Sequence, residues 1–408
     1  MARLMLVEYF HTTRQVWTII QLDSGVSNLT ISPDNPTKKS SVASVRSSGD
    51  VQMAPDISVA MPVYNGSRWL TEAINSIIRQ TYPNFELLVV DDGSTDDTPR
   101  LLDNYVNQDK RIRVLRQNHS GLVAALNRCL AEARGSFFAR LDADDRAASK
   151  RLEAQTGFLR SNVDFGLVGS WARKIDANGR PLGKITPTTK PELLSQQLMR
   201  NNPFLHSSIT MRTELVRRLG GYRSAFEAAE DYDLWLRVSE VSKVTNLPEL
   251  LIDYRWHRES VTHSKTLRAA FSSRLAQRSA YARRHWSYDP ADALEAPPNW
   301  NAAESLASFY ADDAVLYRVL ALADANASLL MPKELDFSIL TERAPALSHV
   351  ERTLAVRACF NYLRRVGYFD KRLNRVLRRV LQDHPRIAAR AVWSVVQQSL
   401  RRTARSFD

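Results

Sequence analysis

Between Ile57 and Leu141 short apolar, β-rich runs alternate with segments whose apolar residues recur at helical spacing. Ile57-Ser58-Val59-Ala60-Met61 runs into Pro62-Val63-Tyr64-Asn65-Gly66, a strand followed by a turn. Ser67 to Gln80 then sets Trp69, Leu70, Ala73, Ile74, Ile77 and Ile78 on one helical face, and Tyr82-Pro83-Asn84 stops it. Glu86 to Val90 is a second buried strand, closed by Asp91-Asp92-Gly93-Ser94. Thr95 to Tyr105 and Gly121 to Ala133 read as helices, and Arg111 to Leu115 and Ser136 to Leu141 as strands. Strand and helix alternating over short connections predict βαβ units: an α/β fold with a mostly parallel, Rossmann-like central sheet flanked by helices. Open sheets of that kind bind ligands beyond the carboxyl ends of their strands. The residues after each strand are therefore the first candidates for function.

The fourth strand, Phe137-Phe138-Ala139-Arg140-Leu141, empties into Asp142-Ala143-Asp144-Asp145. Three carboxylates so close raise each other's pKa unless a cation lies among them. A hard divalent ion, Mn²⁺ or Mg²⁺, suits such oxygen ligands and commonly holds a substrate phosphate as well. The other reading is an acidic loop capping the helix from Ser149. Pro62-Val63-Tyr64 and Asp91-Asp92 fall at the same expected edge. An aromatic face and a carboxylate suit a nucleotide base, one stacking and one accepting a ring N–H. Equally, Tyr64 covers the core and Asp92-Gly93-Ser94 is an Asx-capped turn.

Met61-Pro62-Val63-Tyr64-Asn65-Gly66, Gln80-Thr81-Tyr82-Pro83-Asn84-Phe85-Glu86 and Val89-Val90-Asp91-Asp92-Gly93-Ser94-Thr95-Asp96-Asp97-Thr98 resemble motifs of family 2 glycosyltransferases of the GT-A fold. Leu141-Asp142-Ala143-Asp144-Asp145 stands where that family carries its DxD motif, and Asn118 to Asn127 resembles the loop and helix ahead of it. The likeness covers roughly residues 56 to 262. It implies an inverting transferase using a nucleotide-sugar donor, UDP-sugar first. Pro62, Val63, Tyr64, Asn65, Asp91, Asp92, Gly121 and Asn127 would surround the nucleotide. Asp142, Ala143 and Asp144 would face ribose and diphosphate, with Asp142, Asp144 and Asp145 as metal ligands. An extended chain there would put Asp142 and Asp144 on one side.

In the second half, Lys150 to Leu159 reads as a helix, Gly166 to Trp171 as a strand and Asn178-Gly179 as a hairpin turn. His206, ending a loop, is a core histidine or, as the resemblance implies, a contact to diphosphate or acceptor. Ala229-Glu230-Asp231-Tyr232-Asp233-Leu234-Trp235 is a helix start whose acids favour the dipole. The resemblance places the family's acceptor-side ED motif there. Asp231 would be the general base taking the acceptor hydroxyl's proton, and Glu230 would orient acceptor or helix. Leu251 to Thr262 resembles the segment closing the GT-A core; His257 is a candidate metal ligand, and Arg255 would offset phosphate charge. Tyr254-Arg255-Trp256 shares only Arg-Trp with the processive QxxRW signature, which favours single addition.

The chain has 408 residues and a net charge of +12. From Arg352 to Asp408, fourteen Arg and Lys face three Asp, so nearly all the excess is C-terminal. Cys129 and Cys359 make no disulfide or zinc pattern, which fits a reducing cytoplasm. The expected organisation is a leader over 1–55, a catalytic domain over 56–264 and a basic α-helical region over 265–408. That last region should carry helices over Leu267–Trp286, Ala302–Ala323, Val350–Arg364, Lys371–Leu381 and Ile387–Leu400. Arginines around Ile387, Ala391, Trp393 and Val395 make the end a candidate for peripheral docking on the inner face of the plasma membrane. A solvated face or a protein partner reads as well. No nucleic-acid reader fold is evident. The expected acceptor is a glycan or lipid-linked glycan; the competing class is a non-catalytic scaffold built on the same core.

Overall fold

A computed structural model describes residues 54–257, 266–298, 316–317, 319–320, 340 and 347–366. Nearly all of the expected leader, the expected helices over Lys371–Leu381 and Ile387–Leu400, and most of Ala302–Ala323 lie outside the described residues.

Strands β1 (Ile57–Val63), β2 (Phe85–Asp91), β3 (Ile112–Arg116) and β4 (Phe137–Arg140) alternate with helices α1 (Ser67–Ile78), α2 (Thr98–Gln108) and α3 (Leu122–Glu132). Then come β5 (Arg146–Ala147), α4 (Arg151–Ser161), β6 (Phe165–Ile175), β7 (Pro181–Ile185), α5 (Pro191–Leu198), β8 (Thr210–Arg212) and α6 (Thr213–Arg218). The core ends with α7 (Glu230–Val241) and β9 (Lys243–Arg255), followed by α8 (Thr266–Trp286) and α9 (His349–Val366).

One sheet takes up all these strands in the order β3-β2-β1-β4-β8-β6-β9-β5, with β7 on β6. The β3-β2-β1-β4 half is parallel, as the βαβ pattern predicts. Beyond it the sheet is mixed: β8 runs antiparallel to both β4 and β6, and β9 pairs parallel with β6. The reach of β9 was not legible in the sequence, because Lys243, Thr245, Asn246 and Glu249 break the apolar run. It is a strand because β6 pairs along its length, with register shifts about Trp171.

Period-two alternation sorts β1 onto two layers. Ile57, Val59, Met61 and Val63 meet Leu70, Ala73, Ile74 and Ile77 of α1 on one face. Ala60, with Leu88 and Val90, packs on the other against Ala125, Leu126 and Cys129 of α3. That second layer also holds Trp235 and Leu236 of α7, Phe271 and Leu275 of α8, and Leu354 of α9. Each such side chain contributes about 1.5–3 kcal/mol by burial. Both cysteines are buried and unpaired, and burial pushes each thiol up to about 12. Among the described residues no helix is long and apolar enough to cross a membrane.

The amino edge of the sheet is pinned shut. Ser58 Oγ donates to Glu86 Oε1 (2.6 Å) and accepts the N–H groups of Arg134 (3.0 Å) and Gly135 (2.9 Å). Gly135 allows this approach, since a Cβ there would stand 2.5 Å from the Ser58 nitrogen. The carboxyl edge is left for ligands.

Candidate active site

β1 lies between β2 and β4, so the turns after these three strands share one edge. Pro62 and Val63 are buried in β1, and the Val63 carbonyl accepts Asp92 N–H at 2.9 Å. Tyr64 is 48% exposed and carries the His119 ring stacked on it, centroids 4.1 Å apart and planes 28° from parallel. Asn65 has φ +50 and ties the turns together: its Oδ1 accepts Thr95 N–H (2.8 Å) and Asp96 N–H (3.3 Å). Asp91 Oδ1 accepts Ser94 N–H at 3.0 Å, capping the turn at Gly93. Gly93 (φ +78) is required there, because a Cβ would stand 2.8 Å from His119 N.

Asp92, expected to accept a base N–H, bonds the loop that follows β3. Its Oδ1 accepts Ser120 N–H (2.8 Å) and Gln117 Nε2 (2.7 Å). Its Oδ2 takes Gly121 N–H (2.8 Å) and lies 3.0 Å from His119 Nδ1. Three donors of the 117–121 loop thus bind the carboxylate, and His119 Nδ1 also lies 3.1 Å from the Asp92 carbonyl oxygen; Asp92 shapes that loop. Asn127, expected near the nucleotide, bonds the backbone of Tyr222. Its Nδ2 donates to Tyr222 O (2.8 Å) and its Oδ1 accepts Tyr222 N–H (2.9 Å), so it clamps α3 to the loop before α7.

Asp142 to Asp145 is a turn rather than extended chain, with Asp145 N–H donating to Asp142 O at 3.2 Å. The turn folds three carboxylates together, with oxygens of Asp142, Asp144 and Asp145 within 4.8 Å of one another. Ala143 rests against the turn after β1, near Gly66. Asp142 Oδ1 accepts Arg140 Nη2 at 2.5 Å, and Oδ2 accepts Ser207 Oγ at 2.6 Å. Burial works to raise the Asp142 pKa, yet buried Arg140 and the other donors hold it below the usual value. Asp144 is raised by burial and then by the charge of Asp142. Asp145, 1% exposed, is pushed well up by burial and by both neighbouring carboxylates. Its Oδ1 accepts Arg255 N–H at 2.7 Å, while Oδ2 finds no hydrogen-bond partner among the described residues.

His257 Nε2 sits 2.9 Å from Asp144 Oδ2, its ring tilted against Trp69 at 4.4 Å. Arg255, expected at phosphate, is buried instead: Nε donates to Asp144 O (2.7 Å), and Nη2 pairs with Glu72 Oε2 (2.8 Å). It braces the acidic turn from below. His206 is also placed differently from a free diphosphate contact. Its Nε2 is 3.2 Å from Tyr222 Oη and its ring meets Trp235 edge-on at 5.8 Å. Burial, then the Arg140 charge, pulls its pKa down to about 3, so the imidazole is neutral.

α7 starts at Glu230, with Asp231 next in its first turn. Burial pushes Glu230 up to about 8, the charge of Asp231 adding to the effect. Burial pushes Asp231 up to about 6 against hydrogen bonds from Tyr232 N–H (2.6 Å) and Asn202 Nδ2 (3.1 Å). The charges of Asp142 and Arg140 act on both acids.

The glycosyl transferase family 2 model matches residues 58–220. The O-antigen biosynthesis glycosyltransferase WbnJ of Escherichia coli is 31% identical over 212 residues, spanning 51% of this chain and 82% of WbnJ. EpsE of Bacillus subtilis strain 168, a protein named as a glycosyltransferase, is 37% identical over 221 residues, 52% of this chain and 78% of EpsE. This chain belongs to glycosyl transferase family 2. It is a glycosyltransferase with the GT-A arrangement of sheet and helices. The crystal structure of S. aureus TarS 1–349 with UDP-GlcNAc superimposes more loosely, with TM-score 0.49 and 17% identity over 76% of this chain and 92% of that one.

Several residues around this family 2 site carried no motif. Arg140 had one signal, a lone cation inside the apolar Phe137–Leu141 run. Ser207, Gln117 and Asn202 had none, since their importance lies in partners 25 to 65 positions away.

Proposed function

We propose that this enzyme moves a sugar from a nucleotide-sugar donor to a glycan or lipid-linked acceptor, with a divalent ion and with inversion at the anomeric carbon. The observation that carries the reading is the acidic turn, where carboxylate oxygens of Asp142, Asp144 and Asp145 lie within 4.8 Å of one another. With it goes the opening of α7, Glu230 buried and Asp231 half-buried. The resemblance to inverting family 2 enzymes supports the stereochemistry, and the O-antigen role in the name of WbnJ supports a surface-polysaccharide acceptor.

The donor set fits Mn²⁺ or Mg²⁺. Three carboxylate oxygens converge, burial and repulsion raise Asp144 and Asp145, and Asp145 Oδ2 lacks a partner among the described residues. Hard oxygen ligands of this kind suit either ion. Asp144 and Asp142 would hold it, with His257 beside Asp144, and its charge would offset that developing on the departing nucleoside diphosphate. Asp145, almost wholly buried, supports from behind. The exposed face of Tyr64 stacks the base, and the Asp92-ordered loop walls the nucleotide.

At the other side Asp231 accepts the acceptor's hydroxyl proton. As the O–H bond breaks, the oxygen bonds to the anomeric carbon. The carbon–oxygen bond to the diphosphate breaks on the opposite side, its electron pair leaving with the nucleotide. An acid raised to about 6 is ionised at neutral pH yet basic enough to take a proton. Residues 56–264 carry this chemistry, and 265–408 serve as the acceptor-side and membrane-facing region.

The test is a panel of nucleotide sugars, UDP-sugars first, assayed for released nucleoside diphosphate with and without Mn²⁺, beside calorimetry with the nucleotides alone. Metal-dependent binding and release are expected. Failure of every nucleotide to bind would favour the scaffold reading.

A further inference from the structure

Asn202 belongs to no motif, yet it is the one side chain among the described residues that hydrogen-bonds Asp231. Its Nδ2 donates to Asp231 Oδ2 at 3.1 Å, while its Oδ1 accepts Phe204 N–H at 3.1 Å. The two contacts together set the orientation of the amide. Flipped, it would press NH₂ against an N–H and oxygen against a carboxylate. Asp231 Oδ1 is held by Tyr232 N–H at 2.6 Å. The carboxylate is thus gripped at both oxygens, from within α7 and from outside it, and each oxygen keeps a lone pair for an incoming hydroxyl.

The surroundings give this grip a task. The charged and titratable groups around Asp231 are Glu230 and Tyr232 on α7, Asp142 and Arg140 from the β4 side, and Tyr222 from the loop before α7. Arg200, Arg274 and Glu351 lie along the cavity beside Asn202 and Tyr232, and Arg284 acts on Tyr232. Burial favours the protonated acid, a form that cannot accept a proton. Asn202 also lines a cavity of about 220 Å³ between the core and the tail helices, with Tyr232, Ser273, Gln277 and Ser348. The amide that bonds Asp231 thus belongs to a loop that also borders this cavity.

We propose that Asn202 is a positioning residue for the transfer step: it keeps the Asp231 carboxylate ionised and aims its free lone pair toward the acceptor. The inference rests on Asp231 being the base. It is tested by donor hydrolysis with water as acceptor, using UDP-, GDP- and dTDP-sugars with Mn²⁺ across about pH 5 to 9. A hydrogen bond to the charged form lowers a carboxyl pKa, so losing it raises the pKa. The acidic limb of kcat/KM should therefore move up by about one pH unit in Asn202→Ala, with donor KM unchanged. Asn202→Asp keeps an acceptor for Phe204 N–H but turns a second carboxylate toward Asp231. It should move the limb at least as far.

A merely structural Asn202 requires the opposite ranking, with N202D close to wild type, N202A impaired and neither limb displaced. That result would overturn the proposal. If N202A fails to fold, as thermal melting will reveal, the limb of N202D decides alone. Wild-type protein that turns over no donor removes the proposed function and this role together. An active wild type with unmoved limbs removes this role only.

Discussion

Glu230 and Asp231 are neighbours with different protonation at neutral pH, because burial pushes Glu230 up to about 8 and Asp231 only to about 6. A neutral Glu230 is mimicked by glutamine, so Glu230→Gln should keep kcat within a few-fold. Asp231→Asn, by contrast, should lose about 10²–10⁴ in kcat while calorimetry shows unchanged donor binding. Near-wild-type turnover in Asp231→Asn would remove that residue from the mechanism. The sign of the pH dependence follows from the role: a base works when ionised. kcat/KM should therefore rise with pH through about 6 and level off above it, as the pH profile of nucleotide release will check.

At the scale of elements, the turn after β4 and the start of α7 are each held by buried charge. Replacing Asp144 by Asn removes one of three mutually repelling carboxylates. Without metal the variant should melt at or above the wild-type temperature, and it should lose the rise in melting temperature that Mn²⁺ gives the wild type. Differential scanning fluorimetry with and without Mn²⁺ reads both. α7 is anchored within its first turn by Asp233, fully buried and bonded to Arg223 and to Arg237 (Nη2 at 2.8 Å). Asp233→Ala leaves two guanidinium groups short of a partner. Urea unfolding should show a loss of about 3–5 kcal/mol, and turnover should fall as the Asp231 end loosens.

Over the whole molecule, Phe271 of α8 and Trp235 of α7 lie in one buried cluster with the strands, so the described helices beyond β9 share the catalytic core. Phe271→Ala and Trp235→Ala should each destabilise by about 3–5 kcal/mol, and both should shift one unfolding transition read by near-UV and far-UV circular dichroism alike. Two separate transitions would mark the tail as an independent unit. The β1–α1–β2–α2–β3–α3–β4 order and the candidate edge were legible in the chain because periodicity and turn residues act locally, over three or four positions. The same holds for Asp142, Asp144 and Asp231, which stand directly after a strand or at a helix start. What the sequence left open depends on segments meeting from afar. Asp92 bonds a loop 25 to 29 positions on, Arg255 braces a turn 111 positions back, and Asn202 grips Asp231 across 29. Local pattern determined which residues reach the edge of the sheet. Only tertiary packing decided which of them are already spent on their neighbours, because a hydrogen-bond partner is chosen by proximity in space and leaves no period in the chain.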